Sequence, residues 1–221
     1  MRAEGKNKRE NNDGNWGDAQ GELYVIAAPS GAGKTSLINS ALAEFSSLAF
    51  SISDTTRPLR RGEVDGEHYH FIDRPTFDER VDNGRYLEHA DVFGNGYGTD
   101  RAHVESLWHA GKDVLLEIDV QGAAQVRASH PQACQIFILP PSLDTLKKRL
   151  TARGTDKPDV IARRLGEAQR EMSACLDFDW VIVNDDFEHA RQQLISIIRA
   201  WPLRRARQEI RQKFRLAELL A

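Results

Sequence analysis

Residues 24–37 read Y-V-I-A-A-P-S-G-A-G-K-T-S-L, and no other stretch constrains the fold as strongly. An apolar run, Leu23 to Ala28, gives way to a glycine-rich turn. Lys34 and Thr35 follow, and then a helix-like pattern begins. This is the strand, loop and helix order of a phosphate-binding P-loop. Backbone N–H groups of Ser30 to Thr35 can point into one concavity and hold phosphate oxygens. Small residues let that backbone come close. The N-terminus of the following helix adds partial positive charge. Lys34 would reach the β- and γ-phosphates, and the Thr35 hydroxyl would ligate Mg²⁺. The generic pattern opens with Gly where this chain has Ala28, which requires a negative φ there.

The rest of the chain alternates in kind. Residues 1–20 are polar, with Trp16 the only large apolar side chain, and their composition predicts a disordered tail. Apolar runs predict buried strands at Leu23–Ala28, Ala49–Ser53, Val114–Ile118, Gln135–Leu139 and Trp180–Val183. Helical spacing predicts helices over Thr35–Phe45, Ala102–Ala110, about Asp159–Cys175, and from Glu188 on. Ser142 is placed to cap a helix carrying Leu143, Leu146 and Leu150, with Gly154 as its stop. Continuous apolar strands between helices indicate a parallel, helix-covered sheet. Residues 54–102 differ. They are glycine-rich and charged, with strand-like alternation at His68–Ile72, and predict an inserted small β-rich subdomain with one short helix near Pro75–Asn83.

That insert carries a second constellation. Arg57 and Arg60 are close enough in the chain to converge on one anion, and Tyr69 could add a hydroxyl donor. Leu87-Glu88-His89-Ala90 precedes a slender loop, Phe93 to Thr99. Glu117 and Asp119 fall at the end of a sheet strand, where ligands of open α/β sheets bind. A length of 221 residues suits one domain with insertions, and a net charge of -3 argues against general nucleic-acid binding. Cys134 and Cys175 have no metal-like spacing and suit a reducing compartment. No apolar run reaches membrane-spanning length and the start lacks a signal-peptide core, so the expectation is a cytoplasmic protein with no membrane partner.

From about Glu22 to about Trp201 the chain resembles the guanylate kinase family. The motifs, in order, are A-P-S-G-A-G-K-T, T-T-R-P-L-R-R-G-E-x-x-G-x-x-Y, L-E-H-A, G-N-G-Y-G-T, L-E-I-D-x-Q-G, F-I-L-P-P-S, K-R-L-x-x-R-G and V-I-V-N-D-D. The resemblance implies a P-loop NTPase-like fold: a parallel sheet with helices on both faces, an inserted GMP-binding subdomain (54–102) and a short lid (about 149–164) within a core of 21–53 and 103–221. It implies ATP and GMP as substrates with Mg²⁺. Ala28, Pro29, Ser30, Gly31, Ala32, Gly33, Lys34 and Thr35 would form the ATP loop, and Asn184 would lie near the adenine. Arg57, Arg60, Tyr69 and Tyr97 would hold the GMP phosphate, with Glu63 and Glu117 also on the substrate side. Ser53, Glu88, Thr99 and Asp119 would read the guanine. Arg149, Arg153 and Arg164 would join Lys34 in neutralising the moving phosphoryl group. The chain departs from the family pattern with Glu117 where Asp is usual, Gly96 where a second Tyr is common, and the order Pro58-Leu59.

Guanine offers N1–H and the N2 amine on one edge, and one carboxylate, Glu88 or Asp119, can accept both. Hydroxyls of Ser53 and Thr99 can donate to O6. Three other readings compete. A different nucleoside monophosphate kinase should lack the base-reading carboxylates. A phosphopeptide-binding scaffold would have a damaged P-loop, whereas Gly31, Gly33, Lys34 and Thr35 are intact. A general P-loop hydrolase leaves the insert unexplained.

Overall fold

A computed structural model describes residues 21–152 and 158–221, with the side chains of 152–164 outside the description. The expectations for the tail, for the loop after Gly154 and for Arg153 therefore fall outside the described residues. Five parallel strands form the main sheet: β1 (Leu23–Ala27), β2 (Leu48–Phe50), β7 (Asp113–Glu117), β8 (Cys134–Leu139) and β9 (Trp180–Val183). Their order is β2-β7-β1-β8-β9. β1 is central and buried at every position because both faces are covered. Tyr24 and Ile26 point to one face, against Leu37, Ile38 and Ala41 of α1 (Lys34–Glu44) and Leu194 and Ile198 of α7 (Phe187–Ala200). Leu23 and Val25 point to the other, against Val104 and Trp108 of α3 (Arg101–His109) and Ala123 and Val126 of α4 (Val120–Ser129). The P-loop NTPase-like α/β fold expected from the sequence is the fold observed.

A second sheet has the order β4-β3-β6-β5, built from β3 (Asp54–Thr55), β4 (His70–Phe71), β5 (Tyr86–Val92) and β6 (Asn95–Asp100). Helix α2 (Arg74–Asp82) opens with Asp73 accepting from the Thr76 N–H and with a proline in its first turn. The strand expected at Ala49–Ser53 is β2, shifted to 48–50. Beyond Phe50 the chain leaves the main sheet and enters the second at Asp54, so residues 51–53 bridge the two. Helix α4 has no counterpart among the expected elements. Its buried positions are Gly122, Ala123 and Val126, too small a stripe to show helical periodicity. α4 packs against β5. Gln125 Nε2 donates to the His89 carbonyl at 2.6 Å, and the His89 N–H donates to Gln125 Oε1 at 3.1 Å. That reciprocal pair fastens the second sheet to the core.

α5 (Leu143–Ala152) starts at Ser142, whose hydroxyl oxygen accepts from the Thr145 N–H. Leu146 and Leu150 pack with Leu165 and Ala168 of α6 (Pro158–Ser173). The end expected near Cys175 is instead a tight 3-10 turn over Ala174–Asp177. The chain closes with α8 (Arg205–Arg211) and α9 (Lys213–Leu220). α8 is anchored to the start of β1. Arg207 Nε donates to the buried Glu22 carboxylate at 2.6 Å and its terminal nitrogen to the Gly21 carbonyl at 2.9 Å. Arg211 and Arg204 stand 3.3 and 3.6 Å from the same carboxylate.

Removing one partner of a buried pair leaves an uncompensated charge, at a cost of about 3–5 kcal/mol. With two arginines remaining near Glu22, Arg207→Ala should cost about 3 kcal/mol in urea unfolding. A loss below about 1 kcal/mol would show that α8 is not tied to the core through this pair.

Candidate functional site

At the C-terminal ends of the main-sheet strands a cavity of about 350 Å³ lies between the two sheets. One wall is the loop from β1 to α1. Gly31 and Gly33 take φ of +94° and +93° there, a region that favours glycine. Ala28 is not among the positive-φ residues, as the sequence requires. A Cβ at Gly33 would lie 2.4 Å from Asn184 Nδ2. Gly33 is also the N-cap of α1 and makes no side-chain cap, so the first-turn N–H groups of α1 lack that partner. Ala28, Pro29, Ser30, Gly31, Gly33, Lys34 and Thr35 line the cavity, while Ala32 is buried behind it.

The opposite end is lined by Ser53, Arg60, Tyr69, Glu88 and Tyr97, with Glu117 and Asp119 between. Glu88 owes its position to an irregularity. The β5–β6 register shifts between Tyr86 and Glu88. Tyr86, Leu87 and Glu88 are all buried in succession, which strict alternation forbids and a bulge permits. Glu88 is only 3 % exposed, and its Oε1 accepts a 2.6 Å hydrogen bond from the Thr99 hydroxyl. Burial pushes its carboxyl up to about 7. The Thr99 hydrogen bond opposes that rise, and the Asp119 charge adds to it.

Several expected residues have partners that the sequence did not reveal. Arg57 does not line the cavity. Its guanidinium forks onto Glu63 at 2.7 and 2.8 Å and lies 5.1 Å from the Tyr69 ring centroid. The same Glu63 accepts the Arg60 N–H at 2.8 Å, so this carboxylate shapes the loop from 57 to 63. The Arg57 hydrogen bond holds Glu63 below the usual carboxylate range. Glu117 sits on the P-loop side, accepting from the Thr35 hydroxyl at 3.0 Å and facing Lys34 Nζ at 3.7 Å. Asp119 is the N-cap of α4. Its Oδ1 accepts the Gly122 N–H at 2.9 Å and its Oδ2 accepts from Gln121 at 3.2 Å. Asn184 is buried and donates to the Ala32 carbonyl at 2.7 Å, bracing the P-loop from behind. Arg149 reaches the Ala32 and Asn184 carbonyls at 3.4 and 3.2 Å, on that same side. Arg164 lies on α6, its side chain outside the description.

Of the charged residues that line the cavity, one was not expected from the sequence. Glu171 of α6 faces the cavity. Burial raises its pKa, Lys34 lowers it, and Asp119 and Glu167 raise it. The available signal was its spacing, three residues after Ala168 on the inward face of the helix.

A parallel sheet with this loop, lysine and strand-end carboxylates defines a P-loop nucleotide-binding protein. The guanylate kinase family model matches residues 20–201. The chain belongs to the guanylate kinase family. It is 52% identical over 188 residues to a guanylate kinase of Chromobacterium violaceum, covering 85% of this chain and 90% of that one. It is 51% identical over 203 residues to that of Hahella chejuensis, covering 92% and 98%. The crystal structure of guanylate kinase from Anaplasma phagocytophilum is similar with a TM-score of 0.71 at 34% identity, covering 85% of this chain and 89% of that one.

The Glu88 carboxyl should titrate near 7 by NMR of the labelled side chain in the free protein. Thr99→Val should move that midpoint upward, since the lost hydrogen bond favours the charged form. Because the folded value is raised, the contribution to stability is full below the unfolded value of about 4.5 and lost as pH rises through about 7. A midpoint below 5.5 would contradict a carboxyl buried in this way.

Proposed function

We infer that this protein catalyses ATP + GMP ⇌ ADP + GDP. The observation that carries the reading is one cleft with a P-loop at one end and, at the other, a buried carboxylate beside Arg60, Tyr69 and Tyr97. A phosphate-sized anion site next to a two-acceptor group suits a guanine nucleotide better than an adenine one. Adenine would set an N1 lone pair against the charged form of Glu88, the form whose two oxygens accept from guanine.

In this reading ATP lies along the loop from Ala28 to Thr35, with Lys34 at the β- and γ-phosphates. Arg60, Tyr69 and Tyr97 take the GMP phosphate, and the Arg57–Glu63 fork holds their loop in shape. Ser53 and Glu88 take the base, Thr99 directs the Glu88 carboxylate, and Asp119 supports both through the start of α4. An oxygen of the GMP phosphate attacks the γ-phosphorus in line, the bond to the β–γ bridging oxygen breaks, and ADP leaves. No side chain becomes phosphorylated. The chain's contribution is positioning and charge, with Lys34 and the arginines 149, 153 and 164 drawing off negative charge. The Thr35 hydroxyl and the Glu117 carboxylate, already in contact, are the hard oxygen donors that suit Mg²⁺. When bound there, the ion neutralises phosphate charge. The residues around 149–164 act as the lid and residues 54–102 as the GMP-binding lobe, closing to keep water from the γ-phosphate.

In this reading the partners are small molecules, with no nucleic acid, and the setting is the cytoplasm. Both cysteines are free, and no helix among the described residues is long and apolar enough to cross a membrane.

The direct test is ADP formation with ATP-Mg²⁺ and each of GMP, AMP, CMP and UMP. GMP should be preferred by several orders of magnitude; equal rates would contradict the reading. Glu88→Gln replaces one acceptor with an N–H₂ donor facing the donors of guanine. It should lower kcat/KM for GMP by about 2–4 kcal/mol while leaving ATP affinity nearly unchanged. A loss under about threefold would remove Glu88 from the base site.

A further inference from the structure

Gly122 poses a problem that backbone conformation does not solve. It lies in the first turn of α4, is buried, and has no positive φ. Glycine there weakens a helix relative to alanine, and an ordinary helical φ needs no glycine. The reason is steric. A Cβ at residue 122 would lie 2.1 Å from Glu88 Oε2 and 2.9 Å from its carboxyl carbon. The next nearest atom, Ile118 Cδ1, would be at 3.4 Å, an ordinary contact.

Of the two partners, the helix is the more firmly held. Helix α4 is held at its start by Asp119 Oδ1, which accepts the Gly122 N–H at 2.9 Å. It is held further on by the Gln125–His89 hydrogen bonds, at 3.1 and 2.6 Å, to the residue after Glu88. Glu88 is held through its other oxygen by Thr99 at 2.6 Å. A methyl group at 122 would therefore turn Oε2 away from its place rather than push the helix off.

We propose that Gly122 is a positioning residue for base recognition: its bare Cα forms the wall against which the Glu88 carboxylate is set, so that residue 122 controls GMP selectivity without touching GMP. This rests on Glu88 reading the guanine. Asp119 then serves the base site through its N-cap, which fixes where the backbone of residue 122 lies.

The test is a double-mutant cycle of wild type, Gly122→Ala, Glu88→Ala and the double variant. It reads GMP and AMP kinetics, the KM for ATP and thermal unfolding. In the wild-type background Gly122→Ala should raise the KM for GMP by about 30-fold or more, with kcat and the KM for ATP changed less than about threefold, and the GMP-over-AMP ratio should fall. In the Glu88→Ala background the same change should cost less than about twofold, since the atom it strikes is gone. If Gly122→Ala alone fails to fold, recovery of folding in the double variant gives the same support. A single variant with unchanged GMP kinetics, an undiminished penalty in the Glu88→Ala background, or a double variant that fails to fold would each overturn the proposal. If Glu88→Ala itself costs less than about threefold for GMP, the reading of Glu88 fails first, and that arm alone reports it.

Discussion

Burying the Glu88 carboxylate is the constraint on which the small sheet and its junction with the core depend. A carboxyl group 3 % exposed, with no cation bonded to it among the described residues, is tolerated only if neutral or well hydrogen-bonded. Its surroundings answer that need piece by piece. The bulge in β5 turns it into the cleft, the Thr99 hydroxyl meets one oxygen, and the glycine in α4 leaves room for the other. In the proposed reading the group accepts two hydrogens from guanine, and its burial stays costly until that ligand arrives. An interaction realised only with the right partner is how a hydrogen-bonding site gains selectivity.

The other end of the cleft works by the opposite device. There the anion is the visitor, and the protein offers N–H groups, Lys34 and the start of α1. Glycines at positive φ turn the backbone inward, while Asn184 and Arg149 bind the Ala32 carbonyl from behind so that the loop keeps its shape. Glu117 joins the two functions. It engages Thr35 and Lys34 at the P-loop from a strand whose continuation carries Asp119 and α4. In the proposed reading, β7 and the first turn of α4 connect the phosphate site to the base site.

The P-loop, the parallel sheet and the inserted sheet were legible because their signals are local: a glycine turn after an apolar run, apolar strands, and clustered glycines. What stayed hidden depends on distant contacts. Gly122 looks like a poor helix residue until Glu88 arrives from another sheet. Asn184 reads as a loop residue near a nucleotide, yet its amide binds a carbonyl 152 positions away. Arg57 and Arg60 read as a matched pair of anion ligands. In the folded chain Glu63 takes the fork of Arg57, and Arg60 alone of the two lines the cavity. Glu171 carried only its helical spacing after Ala168, and a single acid on the inward face of a helix gives no motif.

The central claim is that guanine is recognised by a carboxylate that is largely neutral in the free enzyme at pH 6 and charged in the complex. Calorimetry of GMP binding at pH 6, in buffers of different ionisation enthalpy, counts the protons released. The phosphate of GMP also titrates near 6, so the same count on Glu88→Gln provides the reference. With a free-state value of about 7, wild type should release close to one proton more than Glu88→Gln, and its GMP affinity should rise toward a plateau above pH 7. Equal proton counts in the two proteins, with both binding GMP, would contradict the account.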